Sequence, residues 1–391
     1  MRDTGRNTGR ELAIRTAVFL LPPLLMLGLE RLACGEIGTL LPDAQLYLSI
    51  ADNAIETGHF MQTARPITGF VVPPGLPFAL LLLRMAHFTL PMITAVQALL
   101  MGGSCLLLYE TGQLLFGRWG ILAPAIYCLV YLRCRLYLGN LFVEHWYLAL
   151  LCVMVWLCYR EMEEERRLLL LNAAGLAAML VRPALMPLYL AVLLYALVIF
   201  AKGKRLLPAI LVLLLPALLL GLNCWVNFRE TGEVILLQNY SGTDLFYAFS
   251  PDAPVTREQS ETYNNPVYYQ VYGDPSLTMS EKSRILEALA KTYLRQDPLG
   301  TAVKTVKRGF ELYIKCFWAL PLATLAGGVR LSLGRKGLRA WLPLAVNLVL
   351  ALTGCLGIPV LRYAMPIWPL AALHAAALTQ GLWLLLRRRK Q

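Results

Sequence analysis

Along most of the chain, apolar residues run in long blocks separated by short polar or basic clusters, with little strict alternation. Blocks such as LLLLNAAGLAAMLV, LLPAILVLLLPALLLGL and WLPLAVNLVLALTGCLGIPV approach the roughly 20 residues that a helix needs to cross a bilayer. The pattern predicts spans over 16–33, 142–158, 168–181, 184–200, 206–225, 310–328, 341–358 and 364–386. Three further apolar pieces, 74–88, 91–115 and 119–138, follow the first span, and the first of them reads as a short or re-entrant helix. Glu30 and Arg31, not small residues, follow the first apolar block, so it is expected to be a retained span and not a cleaved signal. The expectation is an all-α integral membrane protein, a polytopic bundle of about ten transmembrane helices.

Two long stretches depart from this pattern, 34–73 and 226–309. They divide the chain into an N-terminal membrane module (1–225, including the first loop), a large loop (226–309) and C-terminal membrane helices (310–391). In the first loop Asp43, Tyr47, Ile50, Ala51, Ala54 and Gly58 fit helical spacing, with Asp43 at the helix start, where a carboxylate caps free amides and meets the positive end of the dipole. In the second, Asn239, Ser241, Gly242, Thr243 and Asp244 read as a polar turn, followed by the tyrosines 263, 268, 269 and 272. Ser280 is the expected N-cap of a helix MSEKSRILEALAKTYLRQ that stops before Asp297-Pro298. The amphipathic stretch GTAVKTVKRGFELYIKCFW then leads back to the membrane, so both loops are expected to carry interfacial helices.

Composition agrees: 58% of the 391 residues are hydrophobic and only 15% charged. The net charge of +12 comes from clusters at the ends of apolar blocks, where it reports topology and gives no reason to expect nucleic acid. Placing MRDTGRNTGR, 159–167, 201–205, 330–339 and the terminal RRRKQ on the cytoplasmic side puts both termini inside and both long loops outside. The nine cysteines show no metal-finger spacing, and most lie in apolar blocks as small hydrophobes.

Against this background a few ionisable residues stand out. Glu144, beside His145, opens a span; facing lipid it would cost several kcal/mol, so it is expected to face a polar cavity or interfacial water. Arg182 lies between two apolar spans with no adjacent acid, and Arg362 lies among Pro359, Pro366 and Pro369, where helix ends are irregular. Guanidinium groups suit phosphate because they bond in a bidentate manner, although snorkelling to headgroups is the plainer role for each. Arg65, in the first loop, is either a ligand or solvated. Asp43 and Glu144 supply hard oxygen atoms that suit Mg or Mn, without a DxD motif or a close ligand cluster.

Four stretches together resemble the polyprenyl-phosphate-sugar-dependent glycosyltransferases of the C-type membrane fold, in the bacterial branch related to protein O-mannosyltransferases and the lipid A aminoarabinose transferase. They are Asp43 with AQLYLSIADNAIETGHF, Pro73-Pro74-Gly75-Leu76-Pro77 with FALLLLRMA, LVRPALMPL around Arg182-Pro183, and LRYAMPIWPLAALHAAALT. The resemblance implies an enzyme of the plasma (inner) membrane that moves a sugar from a polyprenyl-phosphate carrier to a glycan, lipid or protein acceptor at the outer face, by an inverting single displacement. It implies Asp43 as the base, Glu144 as the second catalytic acid, and Tyr47, Arg65, His145, Arg182, Asn239, Asp244, Arg362 and Tyr363 as substrate-binding residues. The chain departs from the pattern at Asp43-Ala44, where many relatives carry two consecutive acids. A secondary transporter or a lipid-linked-sugar flippase is the alternative; no self-similarity between halves supports the former.

Overall fold

The computed structural model describes residues 4–35, 40–60, 71–134, 138–315, 317–318, 320–333, 341–357 and 359–388, and among these every regular element is helical. The chain begins with α1 (Thr4–Cys34), α2 (Pro42–Thr57), α3 (Gly75–Met85), α4 (Leu90–Phe116), α5 (Leu122–Cys134), α6 (Val143–Tyr159), α7 (Glu164–Val181), α8 (Met186–Lys202) and α9 (Leu206–Thr231). The large loop holds α10 (Ser241–Phe249), α11 (Arg257–Glu261), α12 (Pro266–Gly273), α13 (Met279–Gln296) and α14 (Pro298–Gly309), and α15 (Leu320–Leu333), α16 (Leu342–Cys355) and α17 (Trp368–Arg388) complete the fold.

The protein is membrane-embedded. Among the described residues, five helical stretches are long and apolar enough to cross a bilayer, and a sixth is added if Pro298–Lys315 and Leu320–Leu333, bent by 92°, form one span. Leu206, Leu207, Leu214, Leu218 and Leu222 of α9 are all exposed, which a lipid solvent explains and water does not. One of the five stretches, Leu90–Cys134, is a helical hairpin: the Sγ atoms of Cys105 and Cys128 lie 3.7 Å apart. On one straight helix those positions would be about 35 Å apart. Gly117, at φ 57°, turns the chain, and Gly112 and Gly120 let the two backbones touch where a Cβ would collide.

The helices alternate between two unlike ends. At one, Arg15 and Arg160 approach Glu110 (3.5 and 3.8 Å), Arg205 pairs with Glu165 (2.9 Å), and Arg118 and Arg387 lie over Trp383. At the other, the turn between α5 and α6 is held by buried polar groups. The Glu30 carboxylate accepts from Gly139 N (2.9 Å), Gln97 Nε2 donates to Asn140 O (3.1 Å), and Asn140 Oδ1 accepts from Leu41 N (3.1 Å). That last bond fastens the start of α2 to the bundle.

The large loop folds over this second end, and its details correct the sequence expectations. Residues 241–244 form the first turn of α10 and not a loop turn, and α13 is capped by Thr278 in a capping box with Glu281, not by Ser280. α9 continues to Thr231, into the segment assigned to the loop. Arg308, fully buried, donates to Pro254 O (2.9 Å) and Ala248 O (2.7 Å), and Lys304 donates to Ser250 O (3.1 Å) and Pro251 O (2.7 Å). These cations satisfy the carbonyls released at the end of α10 and tie α14 to it.

Candidate functional site

Two irregular helix junctions and the starts of α2 and α6 converge below the loop. α2 starts at Pro42, pre-set for the first helical position, and ends at Gly58 in the left-handed conformation (φ 73°). Asp43 therefore lies in the first turn, but Leu41 is the N-cap and the Asp43 side chain makes no cap bond. Instead Arg362 Nη1 donates to Asp43 Oδ2 at 3.1 Å, with the two side chains 33% and 42% exposed. Arg362 comes from the short 3-10 turn Leu361–Ile367, which leads into α17.

The second pair is deeper. Pro183 stops α7 and leaves Arg182 extended at its end, where Arg182 Nη1 approaches Glu144 Oε1 at 3.4 Å. Glu144 is 0% exposed, and its Oε2 has no hydrogen-bond partner among the described residues. A buried carboxylate oxygen left without a partner is costly, and such costs concentrate at functional sites. The Arg182 guanidinium stands 4.8 Å from the Tyr363 ring centre and 5.8 Å from that of Tyr147, and Arg362 stands 5.8 Å from Tyr363. One aromatic ring thus supports both cations.

Both pairs border a cavity of about 370 Å³, whose opposite wall is supplied by Tyr240, Thr243, Tyr247, Tyr268, Tyr272 and Met279 of the loop. These tyrosines are ordered against one another: Tyr247 and Tyr268 at 4.8 Å, Tyr268 and Tyr272 stacked at 5.2 Å. Gly242 is required here, because its N–H donates to Ser283 Oγ at 2.9 Å and a Cβ would collide with the Ser283 carbonyl. A second lobe of about 300 Å³ shares Tyr47, Val143, Arg182, Tyr240, Tyr247 and Tyr363 with the first and extends past Asp244 towards Gly354 and Gly357.

Burial and the carboxylates of Asp43 and Glu144 push the Tyr47 hydroxyl well above its ordinary range, and burial does the same for Tyr240, so both remain neutral donors. Asp244 is exposed to the lobe, yet protein crowds it on its other sides. That desolvation, partly offset by Arg182, pushes its carboxyl up to about 6.

Of the residues singled out from sequence, Asp43, Tyr47, Glu144, Arg182, Asp244, Arg362 and Tyr363 meet at this two-lobed cavity. Two do not. His145 is buried among the bundle helices, its ring 5.8 Å from Tyr131 and 6.2 Å from Phe142, because the residue after Glu144 points about 100° away around α6. Asn239 is a clamp, accepting from Val71 N (3.0 Å) and donating to Ser280 Oγ (3.1 Å). Arg65 lies outside the described residues.

The donor set does not suit a divalent metal. Asp43 and Glu144 each face a guanidinium, and among the described residues no three His, Cys, Asp or Glu side chains gather to hold an ion. Sequence reasoning missed the lining by Tyr240 and Tyr247; their helical spacing with Thr243, already singled out in the polar stretch, was the available signal. Compared with protein-family models, curated proteins and solved structures, the chain matches none.

Proposed function

We propose that this membrane protein is a glycosyltransferase that moves a sugar from a polyprenyl-phosphate carrier to an acceptor at the outer face of the membrane. The observation that carries the reading is the pair of acid and arginine contacts, Asp43 with Arg362 and Glu144 with Arg182, facing one cavity beneath an aromatic wall. Two guanidinium groups beside one tyrosine ring form a receptor for a phosphodiester, and they stabilise the charge that develops on phosphate as the sugar departs. The acids hold the guanidiniums in place until the donor arrives. The four stretches that resemble C-type glycosyltransferases contribute Asp43, Arg182 and Arg362 to this set.

The membrane arrangement supports the same reading. The bundle end rich in Arg15, Arg118, Arg160, Arg205 and Arg387 is assigned to the cytoplasm, with both termini there, and the cavity end to the outer side. Counting the α4–α5 hairpin as two crossings and adding α6, α7, α15 and α16 to α1, α8, α9 and α17 gives about ten spans in an inner, plasma-type membrane. A scissile bond held at headgroup level then meets Asp43 and Arg362.

The experiment is label transfer in proteoliposomes. Labelled hexose on undecaprenyl phosphate is incubated with the reconstituted protein and a membrane extract as acceptor source. Cleavage of the sugar–phosphate bond, with label appearing in a new product, supports a transferase. Label that crosses the bilayer while still joined to its lipid contradicts it and establishes a flippase.

A further inference from the structure

A displacement on a sugar by a hydroxyl needs a group to take the hydroxyl proton. Asp43 and Glu144 each already engage a guanidinium group, Asp43 that of Arg362 and Glu144 that of Arg182. A third acid lies at the same cavity. Asp244 sits in the first turn of α10, lines the second lobe, and its carboxylate has neither an ion pair nor a hydrogen bond among the described residues. The groups that face it are few: Arg182 from the end of α7, Tyr240 and Tyr247 from its own segment, and Tyr47 and Tyr363 across the lobe, while α16 contributes Thr353 and Gly354. Arg182 lines both lobes, so a phosphate on Arg182 in the first lobe lies next to a group held by Asp244 in the second.

Resting on the transferase reading above, the geometry points to the second lobe as the acceptor subsite and to Asp244 as the group that takes the proton from an acceptor hydroxyl. The acceptor class follows: an alcohol of a glycan, lipid or hydroxylated side chain, and not a phosphate, whose ionised oxygen needs no base. In the step, the acceptor proton passes to the Asp244 carboxylate and the oxygen electron pair forms the bond to the anomeric carbon. The bond from that carbon to the phosphate oxygen breaks, and its electron pair leaves with the polyprenyl phosphate, whose charge Arg182 and Arg362 stabilise. A carboxyl pushed up to about 6 retains proton affinity while staying ionised near neutral pH, which is the compromise general-base catalysis favours. Apart from Asp244 and Arg182 its lining carries no charged side chain, and Leu185, Leu245 and Leu356 stand in its walls beside the tyrosines, Gln238 and Thr353, so the acceptor body is received without further charge.

The test uses the full-length protein in proteoliposomes with labelled undecaprenyl-phosphate hexose and membrane extract, reading loss of label from the carrier between pH 4.5 and 8. Wild type is expected to lose rate about tenfold per pH unit below pH 6 and to level off above it. Asp244→Asn is expected to lower the rate by about 100-fold or more and to abolish that limb, with Asp244→Glu recovering part of it. Donor-induced thermal stabilisation, read in parallel, should be unchanged in both variants. If Asp244→Asn keeps the wild-type rate and pH limb while Asp43→Asn loses both, Asp43 is the base and the inference fails alone. If undecaprenyl-phosphate hexose neither stabilises wild type nor loses its sugar, the transferase reading fails and takes the inference with it.

Discussion

Arg362 and Asp43 are 319 positions apart in the chain, and their charged groups meet at 3.1 Å on the wall of one cavity. The contact joins the first turn of α2 to the turn before α17, so the two ends of the chain build one site. Both side chains are partly exposed, and an ion pair of that kind adds little to stability. Its value lies in keeping a guanidinium aimed at the cavity and available for exchange to a stronger anion.

Arg362→Ala should therefore leave the melting temperature almost unchanged and weaken the response to polyprenyl-phosphate sugars. A charged hydrogen bond lost to the donor corresponds to about 1.5–3 kcal/mol, roughly a 10- to 150-fold rise in the half-saturating donor concentration. Arg362→Lys should recover part of the affinity, because the charge remains and the planar fork does not. A donor titration of the three proteins decides it; equal half-saturation in all three removes Arg362 from the donor site.

The deeper pair behaves differently. Glu144 is fully buried, so Arg182→Leu strands a carboxylate and Glu144→Leu strands a guanidinium that is only 21% exposed. Each single substitution should cost roughly 3–5 kcal/mol, and the double substitution clearly less than their sum. Chemical denaturation in detergent gives the cycle. Additive losses would mean that the two groups do not support each other.

Asp244 should carry a stability cost that the site tolerates. Its folded value of about 6 lies above the ordinary 3.8, so the folded state holds a proton that the unfolded chain releases more readily. The resulting destabilisation is absent below about pH 4, grows between pH 4 and 6, and is complete above 6. Asp244→Asn removes the ionisation, so its melting temperature should rise relative to wild type across that window and stay higher at pH 8. A difference independent of pH would show that the carboxyl is not perturbed by its surroundings.

Gly242→Ala tests how the aromatic wall is held. The added methyl meets the Ser283 carbonyl, so α10 must move away from α13 and the hydrogen bond from Gly242 N must lengthen. A cost of about 1–3 kcal/mol is expected, with weaker acceptor use as Tyr247 and Thr243 shift. Wild-type stability in thermal melts would show that the two helices are not in fixed contact.

How much of this could be read from the sequence follows from which information is local. Apolar block length identified a helical membrane protein, and the cost of placing a charge in lipid singled out Glu144 and Arg182 without any knowledge of their contact. Proline marked the irregular junctions that present Arg182 and Arg362. Three-dimensional facing was not legible. His145 looked equivalent to Glu144, yet adjacent residues on a helix point in different directions and only one reaches the cavity. Asn239 and Asp244 looked like members of one turn until α10 began between them, sending one to clamp the backbone and the other to the lobe. Thr278 displaced Ser280 as the cap because the reciprocal bond to Glu281 needs a spacing of three.

The most direct test of the account is the thermal stability of the purified protein with undecaprenyl-phosphate hexose, set against the same concentration of a neutral diacylglycerol lipid. A donor that binds only the folded state at a hundred times its dissociation constant adds about 2.7 kcal/mol, which shifts the melting temperature visibly. The account predicts this shift in wild type, its reduction in Arg362→Ala, and none with the neutral lipid. Equal melting temperatures with the donor and the neutral lipid would contradict the claim that this cavity receives a lipid-phosphate sugar.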